Sequence, residues 1–367
     1  MRLAGAPELI LEENFDQAID GLADSPAVYA LWTGGVEPYV GRTTVLRRRL
    51  RRLLRLGGEA TRRIAIWPVA EGLESLLVLY EVARTWRSDY QRWVKLSWPY
   101  WLRLVTTNRF PRTEVTARLS PRGVFYGPFR SRAAAEQFEH SFLALFQLRR
   151  CEEELEPRPD HPGCIYGEMG KCLRPCQAVV SVEEYESEAR RASEFLVNAG
   201  ELLAAATQAR ERFSAELDFE SAARQHQLVQ RMEAVLALRE PLSAPLQRLS
   251  GAAVTASLSS TVKIWPVSGG CICSPLTISV DPHTAEAAPL DRRLREAFAQ
   301  VRVPELGPLE RQEHVAILVR WYYSSRRTGE WIPFCGLESP PWRKLVSAIS
   351  RVAPGKARRE GIQTPLR

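Results

Sequence analysis

Tyr29 and Tyr39 stand ten residues apart, Gly41 and Arg42 follow at once, Arg49 comes seven residues later, and Glu81 closes the segment Leu77-Val78-Leu79-Tyr80-Glu81. Two phenols, arginine and one carboxylate can cleave a phosphodiester. The carboxylate holds a divalent cation, Mg²⁺ or Mn²⁺; the cation and arginine neutralise the phosphate; a tyrosinate accepts the proton of the attacking water. A phenol at its ordinary pKa of about 10 is too weakly ionised for that task, so the pattern requires neighbouring cations to lower it. The competing reading is structural: two tyrosines of a sheet and a solvated helix glutamate with no common task.

These residues must be carried by ordered elements. Ala27–Trp32 and Glu37–Val40 read as two short strands joined through the turn signal Thr33-Gly34-Gly35. Between Arg42 and Arg63 there are nine arginines and one acidic residue, Glu59. Leu46, Leu50, Leu53 and Leu54 recur there with the spacing of one helix face. Arg47, Arg48, Arg49, Arg51, Arg52 and Arg55 take the other faces. A solvated face usually mixes charge signs; a single-signed run points to a polyanion, with nucleic acid favoured because the guanidinium fork suits phosphate. Arg63–Val69 reads as a third strand, and Leu73 to about Val94 as a second helix.

Further along, Trp101–Thr106 reads as a strand, Phe110-Pro111-Arg112 and Phe125–Phe129 as loops, Arg132–Phe146 as a helix, and Val182–Leu238 as mostly helical with a break near Asn198-Ala199-Gly200. Glu240–Gly251 reads as a linker, 252–355 as a separate small α+β unit, and Ala353–Arg367 as a tail. The class is α+β.

Cys151, Cys164, Cys172 and Cys176 lie 13, 8 and 4 residues apart, with Pro162, Gly163, Gly170 and Pro175 interrupting regular structure around them. Four thiolates this close can hold a tetrahedral Zn²⁺ or an iron–sulfur cluster. Cys271, Cys273 and Cys335 read as structural. The whole chain has 367 residues, a net charge of +7 and 45% hydrophobic residues, which excludes a mainly disordered chain. No apolar run approaches the roughly 18 residues of a membrane span, and the acidic N-terminus lacks the pattern of a secretory signal. The expectation is a cytoplasmic protein without a membrane partner.

Ala27-Val28-Tyr29, then Tyr39-Val40-Gly41-Arg42, then the arginine helix resemble the GIY-YIG nuclease domain, and more closely that of the UvrC excinuclease family. Ser97-Trp98-Pro99-Tyr100, Phe110-Pro111-Arg112, Tyr126-Gly127-Pro128-Phe129, Ala133-Ala134 and the four cysteines follow in that family's order, over roughly residues 15–240. The resemblance implies a GIY-YIG domain over 15–103, a middle domain over 104–195 and a UVR-like helical hairpin over 196–240. It makes Tyr29 the general base, places Tyr39, Arg42 and Arg49 around the water and phosphate, and makes Glu81 the metal ligand, with Glu74 as alternative. It favours [4Fe-4S] over Zn²⁺ for the cysteines. In Leu217-Asp218-Phe219-Glu220-Ser221-Ala222-Ala223, it assigns Phe219, Glu220, Ala222 and Ala223 to binding a UvrB-like helicase subunit.

The sequence departs from the family pattern at three places. Gln91 follows Tyr90 where the family has Asn, Leu53 replaces a helix tyrosine, and the segment before the glutamate is short. His226-Gln227 also replaces an Arg-Asp pair of the UVR motif. The family's second nuclease and helix-hairpin-helix clamp have no counterpart after residue 250: Asp281, His283 and Asp291 lack the preceding strand pattern. His314–Tyr323 reads there as a buried helix and Gly329–Phe334 as a strand. The resemblance thus implies an endonuclease making one metal-dependent incision, 3′ of a lesion in damaged double-stranded DNA, with the half-only architecture of the short homologue Cho. The rival is a catalytically decayed adaptor that binds DNA and UvrB.

Overall fold

The computed structural model describes residues 7–35, 37–57, 61–107, 109–280 and 288–353. The expectations for Glu59, Asp281, His283 and the tail beyond Ala353 lie outside the described residues. Two compact units divide the chain: Met1–Ser97 with Ser250–Leu306 and Glu313–Arg367, and Trp98–Leu249 with Gly307–Gln312.

The first unit begins with β1 (Leu9–Leu11), α1 (Phe15–Asp20), β2 (Ala27–Trp32), β3 (Tyr39–Thr43), α2 (Leu46–Gly57), β4 (Arg63–Pro68), α3 (Leu73–Trp86) and α4 (Tyr90–Val94). The strands form an antiparallel sheet in the order β1-β4-β2-β3. Central β2 is covered on both faces, which is why Ala27–Leu31 reads as an unbroken apolar run. Leu46 and Leu50 of α2 are buried against Tyr29, Leu31, Ile64 and Ile66, with Leu53 and Leu54 packed at the margin. The leucine spacing therefore does fix the inner face of α2. The continuous helix expected to Val94 is instead two helices, because Arg87 is extended at φ −128°, ψ 127°.

The second unit contains β5 (Tyr100–Val105), β6 (Arg112–Thr116), β7 (Val124–Phe129), α5 (Arg132–Phe142), α6 (Ile165–Glu168), α7 (Val182–Ala215), α8 (Phe219–Ala237) and β8 (Ala244–Pro245). Its antiparallel sheet has the order β6-β5-β7-β8. Phe129, Phe138, Phe142, Phe146 and Phe195 make an aromatic core. Phe125–Phe129 is thus a core strand and not a loop; the turn-forming types Gly127 and Pro128 mask it in sequence. Glu240–Gly251 is not a linker either, since Leu242, Leu246 and Leu249 are buried and β8 pairs with β7. Asn198 interrupts α7 with non-helical angles, at the expected break.

The chain returns to the first unit as β9 (Gly251–Ala256), β10 (Thr261–Ser268), β11 (Cys271–Ile272), β12 (Leu276–Ser279), α9 (Leu290–Ala299), the part of α10 (Pro308–Tyr322) from Glu313 onward, β13 (Glu330–Pro333) and α11 (Trp342–Val352). The sheet runs β11-β10-β9-β13, with β12 also pairing with β10. This segment is not a separate unit. Ten of the fourteen α3 residues are buried, as expected of a helix covered on most sides. Lys263 forms an ion pair with Glu74 of α3, and Ser257 donates to the same carboxylate at 2.9 Å.

Candidate functional site

The β2–β3 register sets Tyr29 opposite Gly41 and Leu31 opposite Tyr39. Tyr29 and Tyr39 are therefore diagonal neighbours on one face. Their rings lie 6.2 Å apart with planes 23° from parallel. Arg49, on the first turn of α2, joins them: Nε donates to the Tyr29 hydroxyl at 3.0 Å and Nη2 to the Tyr39 hydroxyl at 2.9 Å. Tyr29 is buried, whereas Tyr39 is 37% exposed. Burial raises the Tyr29 pKa, and the opposing pull of Arg49 does not overcome it. The expected lowering by neighbouring cations is thus reversed, because desolvation of the phenolate outweighs a single guanidinium.

These groups open on a cleft of about 610 Å³, whose charged lining is Arg42, Arg49, Arg92, Lys95, Arg320 and Asp89. Asp89 is paired with Arg87 at 2.8 Å. From α3 the cleft receives Leu79. Glu81 is not among the lining residues. It sits two positions beyond Leu79, about 200° around the helix, and shares a face with Glu74, seven residues earlier. Glu74 itself is buried and bonded to Lys263, Ser257 and the Ala70 amide. The carboxylates of α3 therefore do not fit a divalent cation held beside Tyr29 and Arg49. Among the described residues no group of three His, Cys, Asp or Glu side chains is placed to hold a metal ion.

The Tyr90-Gln91 pair is also turned elsewhere. Tyr90 Oη donates to Glu313 at 2.6 Å, Gln91 Nε2 at 2.8 Å and Tyr80 Oη at 2.7 Å. Glu313 is buried, and nothing in the local sequence announces it. Arg42 donates to Ser75 Oγ at 3.2 Å. On the arginine helix, Arg51 Nε donates to Asp20 at 3.0 Å, and Arg48 lies 4.0 Å from Asp24. Arg47, Arg52 and Arg55 make no ion pair among the described residues, so they carry the positive field of that face.

In the second unit Cys172 and Cys176 are buried and Cys164 is exposed, and the four thiols are not gathered into a metal-holding group among the described residues. Burial, followed by the other three thiols, pushes Cys172 up to about 11 despite an N–H from Arg174, and burial raises Cys176. Arg149, 1% exposed, donates to Phe110 O at 2.8 Å, Cys151 O at 3.0 Å, Glu153 O at 2.7 Å and Cys151 Sγ at 3.6 Å. A buried cation ringed by neutral carbonyls lacks the anionic partner such burial normally requires. Of the four cysteine sulfurs, it is Cys151 Sγ that Arg149 donates to. The signal was present in the sequence, as Arg149 lies two residues before Cys151.

At the tip of the α7–α8 hairpin, Leu217 has φ +62° and is 71% exposed, and Phe219 is 65% exposed. Asp218 caps α8 by accepting from the Ser221 amide at 3.0 Å. Ala222 and Ala223 follow on the first turn, and Glu220 bridges Arg224 at 3.2 Å.

Fold and site together describe an α+β protein with a basic cleft built on paired strands, followed by a cysteine-bearing second unit. Residues 100–195 match the family model described as UvrC/Cho excinuclease, middle domain. The chain is 27% identical over 225 residues to the UvrABC system protein C of Desulfitobacterium hafniense, covering 58% of this chain and 36% of that protein. It is 27% identical over 218 residues to that of Aquifex aeolicus (57% and 38%), and 28% over 240 residues to that of a Thermotoga species (62% and 41%). The chain is UvrC/Cho-like, and it matches only about two fifths or less of the length of these relatives. No solved structure matches it.

Proposed function

We propose that this chain is a UvrC-like factor of nucleotide excision repair, whose Tyr29–Tyr39–Arg49 cleft grips the backbone of lesion-bearing duplex DNA. One observation carries the reading: a single guanidinium shared by two phenols, in a cleft otherwise charged by Arg42, Arg92, Lys95, Arg320 and one paired aspartate. Oriented guanidinium donors and uncompensated positive charge are what a phosphodiester backbone selects.

Two chemical outcomes follow from such a grip. Metal-dependent incision on the 3′ side of the lesion is favoured by the Tyr29–Arg49–Tyr39 arrangement. Binding without incision is favoured by Leu79 in the cleft, by Glu81 on another helix face and by the upward pKa shift of Tyr29. The second outcome fits the geometry better, because hydrolysis needs both a base and a charge-neutralising cation. Cys151, Cys164, Cys172 and Cys176 would hold a [4Fe-4S] cluster near Arg149, as a folding element of the second unit. The exposed Leu217 and Phe219, with Ala222 and Ala223 allowing close approach, would dock a UvrB-like helicase subunit.

The discriminating experiment incubates the purified protein and a UvrB with a lesion-bearing duplex in Mg²⁺ or Mn²⁺. The expected result is a shifted complex without a nick. A nick that disappears in Tyr29→Phe would establish incision; absence of any complex would overturn the repair reading.

A further inference from the structure

Beside the cleft lies a second depression, of about 470 Å³, whose charged lining is Arg42, Arg320, Arg326, Arg327 and Glu71. Arg42 and Arg320 line both spaces, so the two are contiguous. Four guanidiniums face one carboxylate here. Arg320 comes from α10, and its guanidinium donates to the carbonyls of Val94 and Lys95. Its pKa is lowered by burial and by facing Arg42. Such an arrangement costs free energy unless an anion occupies the space between.

The loop bearing the other two arginines is held in place. Trp321 Nε1 donates to Thr328 O at 3.1 Å, and the Arg327 amide to Ser324 O at 3.0 Å. Thr328 Oγ1 donates to Glu71 O at 3.4 Å. Gly72, at φ +92°, lets this seat form, because a Cβ there would stand 2.6 Å from Thr328 Oγ1. The Arg326 and Arg327 side chains are exposed. Glu330, the nearby acid, is occupied by Arg351 at 2.6 Å.

We propose that this depression is a second phosphate-binding site for the same DNA, built jointly by the β3–α2 and α3 ends and by residues 320–327. The segment after residue 250 would then lengthen the hold on the backbone beyond the Tyr29–Arg49 cleft. The inference rests on the DNA-binding reading above and extends it to a region with no counterpart pattern in sequence.

The test measures fluorescence anisotropy of a labelled lesion-bearing duplex across a sodium chloride series, for wild type, Arg49→Gln and the double variant Arg326→Gln/Arg327→Gln. Each lost phosphate contact makes the negative slope of log K against log salt shallower by about 0.9. The double variant is expected to bind more weakly, with a slope shallower by about 2. Arg326→Gln alone, which removes a guanidinium with no hydrogen bond among the described residues, should make it shallower by about 1, so one altered loop cannot hide the answer. If Arg49→Gln weakens binding but both loop variants match wild type in affinity and slope, the second site is overturned and the cleft stands. If wild type binds no duplex, the DNA-binding reading itself is overturned.

Discussion

The Tyr29 hydroxyl lies 2.6 Å from the position a Cβ on Gly41 would take. The two residues are cross-strand partners, so glycine at position 41 is what lets the phenol lie flat over β3 and reach Arg49. Gly41→Ala is expected to push the ring away, break the 3.0 Å bond from Arg49 Nε and destabilise the protein by about 1–3 kcal/mol through overpacking. Urea unfolding reads the stability loss, and weaker duplex binding reads the displaced phenol.

The local features of this site are legible in the sequence and the long-range ones are not. The apolar run of β2, the leucine face of α2 and the Tyr29–Tyr39 spacing follow from periods of two and 3.6 residues. An apolar segment singles out Glu81 in the sequence, but helical geometry sets it far around α3 from Leu79. Gln91 stands out only as a departure from the family pattern; the fold reveals that it bonds Glu313, 222 residues away. Likewise Phe125–Phe129 carries turn-forming residues but is drawn into the sheet by burial of Phe125, Tyr126 and Phe129, tertiary packing overriding local preference.

Glu313 is the acceptor for Tyr80, Tyr90 and Gln91. Glu313→Ala leaves these donors without their shared acceptor, which costs about 3 kcal/mol or more. Glu313→Gln keeps an acceptor oxygen and is expected to cost less. Denaturant midpoints of the two variants check the order; equal midpoints would show that the carboxylate is not what ties α10 to α3 and α4.

Burial raises Tyr126 to about 12 and also raises Tyr185. A phenol whose folded pKa lies above its unfolded value of about 10 adds stability that is fully present below pH ~10 and lost as pH rises through the folded value. For Tyr126 the amount is about 2–3 kcal/mol. Unfolding at pH 8 and at about pH 11.5 should therefore show a steeper alkaline loss in wild type than in Tyr126→Phe.

Leu217 and Phe219 are exposed at the hairpin tip, so truncating them removes little from the fold. Leu217→Ala/Phe219→Ala is expected to change stability by less than about 1 kcal/mol, while lowering affinity for a UvrB at least tenfold in surface plasmon resonance. Unchanged affinity would remove the hairpin tip from the partner interface.

Arg149 ties the cysteine segment to the second unit's core. Its backbone amide donates to Tyr185 Oη at 2.8 Å, and Tyr185 Oη donates to Pro111 O at 2.8 Å. Arg149 and Tyr185 therefore fix Cys151 from one side, while Cys172 and Cys176 are fixed by the turn at Arg174, whose φ is +56°. Cys164, exposed, is the ligand with least support. If the four thiolates hold a cluster, Arg149 offsets part of its negative charge, and N–H donors near the sulfurs raise its reduction potential. Arg149→Met should lower iron and sulfide per chain after anaerobic reconstitution, and should shift the potential of the remaining cluster downward. Cys164→Ser should cost less retention than Cys172→Ser, because the buried thiol is preorganised and the exposed one is not. Iron and sulfide assays with a redox titration read all three variants. A colourless protein that binds one zinc, with equal affinity in wild type and Arg149→Met, would rule out both the cluster and the role of the buried arginine.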